Sequence, residues 1–127
     1  DMGTATTITA VDRSGAFVGG CICPGVKISM EALTGRTAQL PGIALDEPKR
    51  AIGKNTRDCM QSGIMFGAAA MLDGLLDRME RELGGEVNVV ATGGIARFVV
   101  PLCRRKIVLN RGLMLEGLNL LYKQNVK

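Results

Sequence analysis

The segment Asp1-x-Gly3-Thr4-Ala5-Thr6-Thr7 places a carboxylate, a glycine and three hydroxyls within seven residues. Glycine lets a backbone approach an anion closely, and neighbouring N–H groups and threonine hydroxyls donate to phosphate oxygens. A nearby aspartate can hold a cation that offsets the phosphate charge. The same residues also suit a plain Gly-Thr turn beside a strand. Thr92-Gly93-Gly94 is a second candidate, placed between a strand and a helix, where a helix N-terminus with a close-approach backbone would suit a nucleotide's sugar or base. It carries neither G-x-G-x-x-G nor the lysine of a P-loop, and a glycine there also serves simply to bend the chain. A third block, Ile52-Gly53-x-Asn55-Thr56, runs into Ser62-Gly63; Thr56 either caps a helix or presents its hydroxyl to a ligand. Cys21-x-Cys23 points two thiols to one face of a strand. With no further ligand nearby in sequence, a soft-metal site there is set aside.

Composition excludes other chemistry. The 127 residues contain no histidine, which removes Ser-His-Asp and Cys-His catalysis and His-ligated zinc from this chain. Counting 17 glycines with the apolar residues gives about 58% of the chain, above the ~45–50% usual for soluble domains. Disorder is therefore excluded, and the surplus suggests surface meant for a partner or another domain. Residues 1–50 are charge-neutral, whereas 94–127 carry seven Lys/Arg against Glu116 alone. Four aromatics and no long basic run make a solvated or phosphate-tuned face a better expectation than nucleic-acid binding. The stretch around Ile64–Leu76, interrupted by Gly67, Asp73 and Gly74, is too short to span a bilayer, and no signal segment opens the chain. Cys21, Cys23, Cys59 and Cys103 form no C-x-x-C pair, so reduced, mostly buried thiols in the cytoplasm are expected. The chain enters directly on Asp1 without an initiator methionine, which leads us to expect preceding sequence.

Elements must position the candidate residues. β-Branched Thr4–Val11 predicts a strand, Asp12-Arg13-Ser14-Gly15 a tight turn, and Ala16–Cys23 a returning strand, with Gly19-Gly20 permitting a bulge or close approach. Val26–Leu33 predicts a short amphipathic helix ended by Gly35, and Leu40-Pro41-Gly42 breaks the chain again. A long helix follows from Asn55 or Thr56 to Leu83, with Met60, Ile64, Met71, Leu75, Met79 and Leu83 on one face. Asp77/Arg81 and Arg78/Glu82 form i,i+4 pairs on the other, and Gly84-Gly85 stops it. Gly63-x-x-x-Gly67 with Met60, Met65 and Met71 reads as core packing, or alternatively as a dimer seam. Val87–Ala91 predicts a strand, Ile95–Val100 a helix limited by Pro101, and Gly112–Gln124 a final leucine-rich helix. The order β-β-α-α-β-α-α indicates mixed α/β architecture.

The ordered set of blocks says more than any one of them. Asp-x-Gly-Thr-Ala-Thr-Thr, Gly-Gly-x-Ile-x-Pro-Gly at 19–25, Ala38-x-Leu40-Pro41, Ile52-Gly53-x-Asn55-Thr56 with Ser62-Gly63, Ala91-Thr92-Gly93-Gly94 and Gly117-Leu118-x-x-Leu121-Tyr122 together resemble the type III pantothenate kinase family over nearly the whole chain. The resemblance implies a ribonuclease H-like domain of the actin/Hsp70/sugar kinase superfamily, a mixed sheet flanked by helices, with residues 1–127 forming the C-terminal domain of a two-domain kinase. It implies phosphoryl transfer from ATP to pantothenate in coenzyme A biosynthesis, Mg2+ and a monovalent cation (K+ or NH4+), a cytoplasmic homodimer, and neither nucleic-acid nor membrane partners.

Residue by residue, Asp1 matches the monovalent-cation aspartate, and Gly3 and Thr4 the ATP-phosphate turn. Thr92, Gly93 and Gly94 match the adenosine-side motif, and Thr56 a pantothenate-contacting threonine. Residues 19–25 match a motif near the subunit interface. The family's N-terminal Asp-x-Gly-Asn-Thr loop and its Gly-x-Asp-Arg segment, which supplies the general base, are absent. Asp12, Asp46 and Asp58 have no matching context, so no catalytic residue is assigned here and the chain alone is expected to be inactive. Alternatives are a non-catalytic accessory protein of transcription that retains the fold, and an unrelated small-molecule kinase of the same superfamily.

Overall fold

A computed structural model describes residues 1–35 and 45–126. The Leu40-Pro41-Gly42 break and the Ala38-x-Leu40-Pro41 block lie outside the described residues. Strands β1 (Ala5–Val11) and β2 (Phe17–Pro24) form an antiparallel hairpin whose register runs from Ala5 opposite Pro24 to Val11 opposite Phe17. Its turn is built by Asp12, whose Oδ1 accepts from the Ser14 N–H (2.9 Å), the Ser14 hydroxyl (2.7 Å) and the Ala16 N–H (3.0 Å). The expected irregularity is present as a register shift between Ala10 and Val11 opposite Gly19, which adopts φ +127°.

Helix α1 (Val26–Gly35) leads toward α2 (Thr56–Leu83), the 28-residue spine of the molecule. Asn55 caps α2, with its Oδ1 accepting from the Asp58 N–H at 2.9 Å, and Gly84 closes it at φ +77°, a left-handed stop that glycine adopts without strain. Beyond it come β3 (Val90–Ala91), α3 (Ala96–Val99), β4 (Val108–Leu109) and α4 (Leu113–Asn125). β3 and β4 pair in parallel, so the architecture is mixed α/β with two small sheets flanked by helices. The core gathers Met2, Val26, Ile64, Met65, Ala69, Leu72, Ala91, Ala96 and Val99.

Several expectations change. The strand expected over Val87–Ala91 pairs only at Val90 and Ala91, because its partner, the unforeseen β4, is two residues long. Helix α3 starts one residue late and tightens into a 3-10 turn at Val100–Leu102, since Pro101 lacks the N–H that α-helical pairing needs. On α2, Met60 and Ile64 are buried as expected, but the buried stripe continues through Met65, Ala69, Leu72 and Leu76 rather than Met71, Leu75, Met79 and Leu83. Repeated steps of four drift by about 40° each around a helix, so that line leaves the core face.

Gly63 and Gly67 meet nothing within 4 Å where a Cβ would stand, so they do not serve core packing. They line a groove of about 610 Å³ between α1 and α2, together with Met71. None of the four free cysteines is fully buried, and Cys59 is exposed. Helix α2 is long and apolar enough to cross a membrane by length and composition alone, with a mean hydropathy of 1.3 over its most apolar window, because it runs unbroken through Gly67, Asp73 and Gly74. Ile64, Met65, Ala69 and Leu72 of its buried stripe belong to the core described above, and Met60 and Leu76 are buried beside it.

Asp77 does not pair with Arg81. Its carboxylate instead meets Arg104 (2.7 Å) and Arg105 (2.6 Å), and Arg105 also reaches Glu80 at 2.7 Å. Asp73 accepts from the backbone N–H groups of Arg104 (2.7 Å) and Arg105 (3.0 Å). This clamp ties the segment before β4 to one side of α2, and nothing local in sequence announces it across 25 to 32 residues.

Candidate functional site

The Asp1–Thr7 segment folds on itself. The Asp1 nitrogen donates to the Thr7 carbonyl (2.7 Å), the Thr7 N–H donates to the Asp1 carbonyl (2.9 Å), and Met2 bridges Thr6. Gly3 and Thr4 therefore stand at the tip of a tight turn, with Thr4 exposed. Behind the tip lies buried Gly25, where any Cβ would run into the Thr4 carbonyl and sit 3.2 Å from the Gly3 oxygen. The Gly25 position was part of a recognised block, but its packing under the turn carries no sequence signal.

This turn is bonded to the second block. The Met2 N–H donates to the Thr92 carbonyl at 2.8 Å, and the Ile95 N–H donates to the Met2 carbonyl at 3.1 Å. Gly93 takes φ +100°, and a Cβ there would lie 2.6–2.7 Å from the Met2 backbone N, C and O. Glycine at 93 is thus required for contact between the two blocks, whatever else it touches. The helix after it is a single turn, so it contributes little dipole to a ligand; the close backbone approach remains. Gly94 is exposed and unconstrained by packing.

Asp1, Thr7, Thr9 and Thr92 share the lining of a cavity of about 310 Å³. Apolar side chains of α2 (Leu72, Leu76) and of the start of α4 (Leu113, Met114) form its other walls. Among the described residues the Asp1 carboxylate joins no ion pair, which leaves its oxygens able to hold a cation. That hard-oxygen chemistry fits a monovalent cation. No group of three acidic, Cys or His side chains assembles among the described residues.

Thr56 is the first residue of α2 and is exposed. Because Asn55 performs the capping, the cap reading of Thr56 does not hold and its hydroxyl remains available. It is not brought to the Asp1–Thr92 cavity. That cavity meets α2 at Leu72, sixteen residues further on, or about 24 Å along the helix axis. Asp12 and Asp58 are committed to their turn and cap. The Ser14 hydroxyl and the 14–16 backbone hold the Asp12 carboxyl below the usual range, which keeps it an anion rather than a proton carrier.

The fold and site define a mixed α/β domain with a glycine-threonine turn hydrogen-bonded to a strand-to-helix glycine turn. The sequence profile of type III pantothenate kinases matches residues 1–78, and the chain belongs to that family. A type III pantothenate kinase of Myxococcus xanthus is 46% identical over 125 residues, covering 98% of this chain and 49% of its own length. The corresponding kinase of Moorella thermoacetica is 45% identical over the same span and shares. The chain therefore spans about half the length of these curated relatives. A crystal structure of a Campylobacter jejuni protein described as a Baf family transcriptional activator superposes with a TM-score of 0.73 at 18% identity, covering 98% of this chain and 56% of that one. That likeness establishes the fold alone.

Proposed function

We propose that this chain is the C-terminal, ribonuclease H-like half of a cytoplasmic pantothenate kinase, which transfers the γ-phosphoryl of ATP to the primary hydroxyl of pantothenate. The observation that carries the reading is the hydrogen bonding of Met2 to Thr92 and Ile95, which holds the Gly3–Thr4 turn beside the Thr92–Gly94 block, with Asp1 and Thr92 lining one cavity. Family membership supplies the substrate pair.

In this reading Gly3 and Thr4 donate to ATP phosphate oxygens, and Thr92, Gly93 and Gly94 flank the adenosine. Asp1 holds K+ or NH4+, whose charge offsets the phosphates, while Mg2+ enters with the nucleotide. Phosphoryl transfer depends mainly on positioning and charge neutralisation, which is what such a turn provides. The hydroxyl proton must go to a base that this chain does not supply, since its candidate aspartates are committed or lack a place at the site. Thr56, available but some 24 Å along α2 from the cavity, contacts pantothenate only when a second copy or the rest of the chain is brought to it.

The test uses the intact kinase. Asp1→Asn is expected to weaken activation by K+ and leave the fold unchanged. Unaltered K+ dependence would remove Asp1 from the cation site. Failure of the intact protein to form phosphopantothenate from ATP would favour the accessory, non-catalytic reading.

A further inference from the structure

Side chains of the hairpin alternate between a face turned to the core and a face turned away. Buried Thr6 and core-packed Ile8 mark the inner face of β1. The register sets Cys23 opposite Thr6 and Cys21 opposite Ile8, so both thiols share that inner face, while Ile22 between them is 78% exposed on the outer one. Both cysteines are half-buried. Burial, and then the Cys23 thiol beside it, push the Cys21 thiol above its ordinary value. The strand is regular at this point, its register shift lying between Ala10 and Val11, so the two Cα atoms stand about 6.6 Å apart. A disulfide needs Cβ atoms about 3.5–4.5 Å apart, closer than a regular strand brings same-face neighbours. The pair therefore remains two thiols held side by side.

No third ligand stands near them in sequence, but the fold brings sulfur to them. Gly19 and Gly20 line a cleft with Met79 of α2, and Pro24 lines a groove with Met71. Cys21 and Cys23 occupy β2 between those two points. Met71, Leu75 and Met79 are half-buried along the α2 line that leaves the core face, and its two ends are the points that meet β2. Two thioethers thus bracket two thiols. No trio of Cys, His or acidic side chains assembles among the described residues, so four-coordinate zinc is not served. Thiolate and thioether sulfur together select Cu(I). The geometry points to Cys21 and Cys23, joined by a thioether of Met71 or Met79, as a binding site for a soft monovalent cation, Cu(I), between β2 and α2. Each thiol that ligates gives its proton to solvent, and copper remains Cu(I), so no electron is exchanged. Neither cysteine lines the Asp1–Thr92 cavity, and the site does not depend on the kinase reading.

The test uses the full-length protein, reduced and free of oxygen, titrated with Cu(I) against a chromophoric Cu(I) chelator. The parent protein is expected to hold one Cu(I) that Cys21→Ser and Cys23→Ser release. Loss of a residue that merely orients a metal ligand costs about 10- to 100-fold in affinity, so loss of a thiolate should cost at least ~100-fold. Cys59→Ser and Cys103→Ser should bind as the parent does. An equal loss in those variants, or a parent that yields all its copper to the chelator, would mean adventitious thiol binding and overturn the site. Met71→Leu combined with Met79→Leu nearly conserves volume and should weaken binding about 10-fold, with one sulfur fewer around copper by X-ray absorption. Unchanged affinity and an unchanged sulfur shell would overturn the thioether assignment. If the serine variants fail to fold, the unsubstituted protein carries the test. Cu(I) should shield Cys21 and Cys23 from alkylation while Cys59 is still labelled, and equal labelling with and without copper would overturn the proposal.

Discussion

The Met2 N–H donates to the Thr92 carbonyl at 2.8 Å, and the Met2 carbonyl accepts from Ile95 at 3.1 Å. Two glycine-containing turns about ninety residues apart in sequence are thereby one structural unit. Gly93 makes this possible, since its backbone passes against Met2 where no side chain fits. The consequence is that substitutions in either turn disturb both.

Gly93→Ala combines a positive φ with a collision against the Met2 backbone, so we expect a loss of about 1–3 kcal/mol or more in stability. Gly94→Ala, with open space around it, should change stability by less than about 1 kcal/mol. Denaturant unfolding of the two variants checks the contrast. Equal effects would show that Met2 and Gly93 do not pack as described.

Gly25→Ala tests the support behind the Gly3–Thr4 turn, which we propose holds the ATP phosphates. A methyl group there must displace the Thr4 carbonyl, and the whole tip moves with it. In the intact kinase the expected result is a raised KM for ATP with a smaller change in the KM for pantothenate. A uniform fall in kcat with both KM values unchanged would argue that the Gly3–Thr4 tip does not hold the nucleotide.

The Arg105 clamp predicts a defined pH dependence. Hydrogen bonds from Arg105 hold the carboxyls of Asp77 and Glu80 below their ordinary values. Groups whose folded pKa is depressed contribute stability above their unfolded pKa and lose it as pH falls through the folded value. Arg105→Ala should therefore lower Tm at neutral pH, and the gap to the parent protein should close below about pH 4. Melting curves from neutral to acidic pH read this directly, and a gap that stays constant would exclude the clamp as its source.

Thiol reactivity separates Cys103 from Cys59. Burial, followed by the nearby Asp73 charge, pushes the Cys103 thiol up to about 11, whereas Cys59 is exposed. Because the thiolate is the nucleophile, a brief alkylation at pH 8 should modify Cys59 well before Cys103. Peptide mapping by mass spectrometry gives the order, and simultaneous labelling would contradict the packing of Cys103 against α2.

Local chemistry determined much of this protein before any fold was seen. The Asp12–Gly15 turn, the Asn55 cap, the Gly84 stop and the long helix between them depend on residues within a few positions of one another, so their patterns are visible in the sequence. The turn-forming Asp1–Thr7 and Thr92–Gly94 blocks were legible as candidates for the same reason. Tertiary structure alone decided that those blocks touch, that Gly25 underlies the first, that Asp77 turns to Arg105 rather than Arg81, and that Thr56 stands apart from the cavity. Each of these is a contact or separation set across many residues of chain. Its energy comes from packing and hydrogen bonds that form only once distant segments meet, and local periodicity carries no record of them.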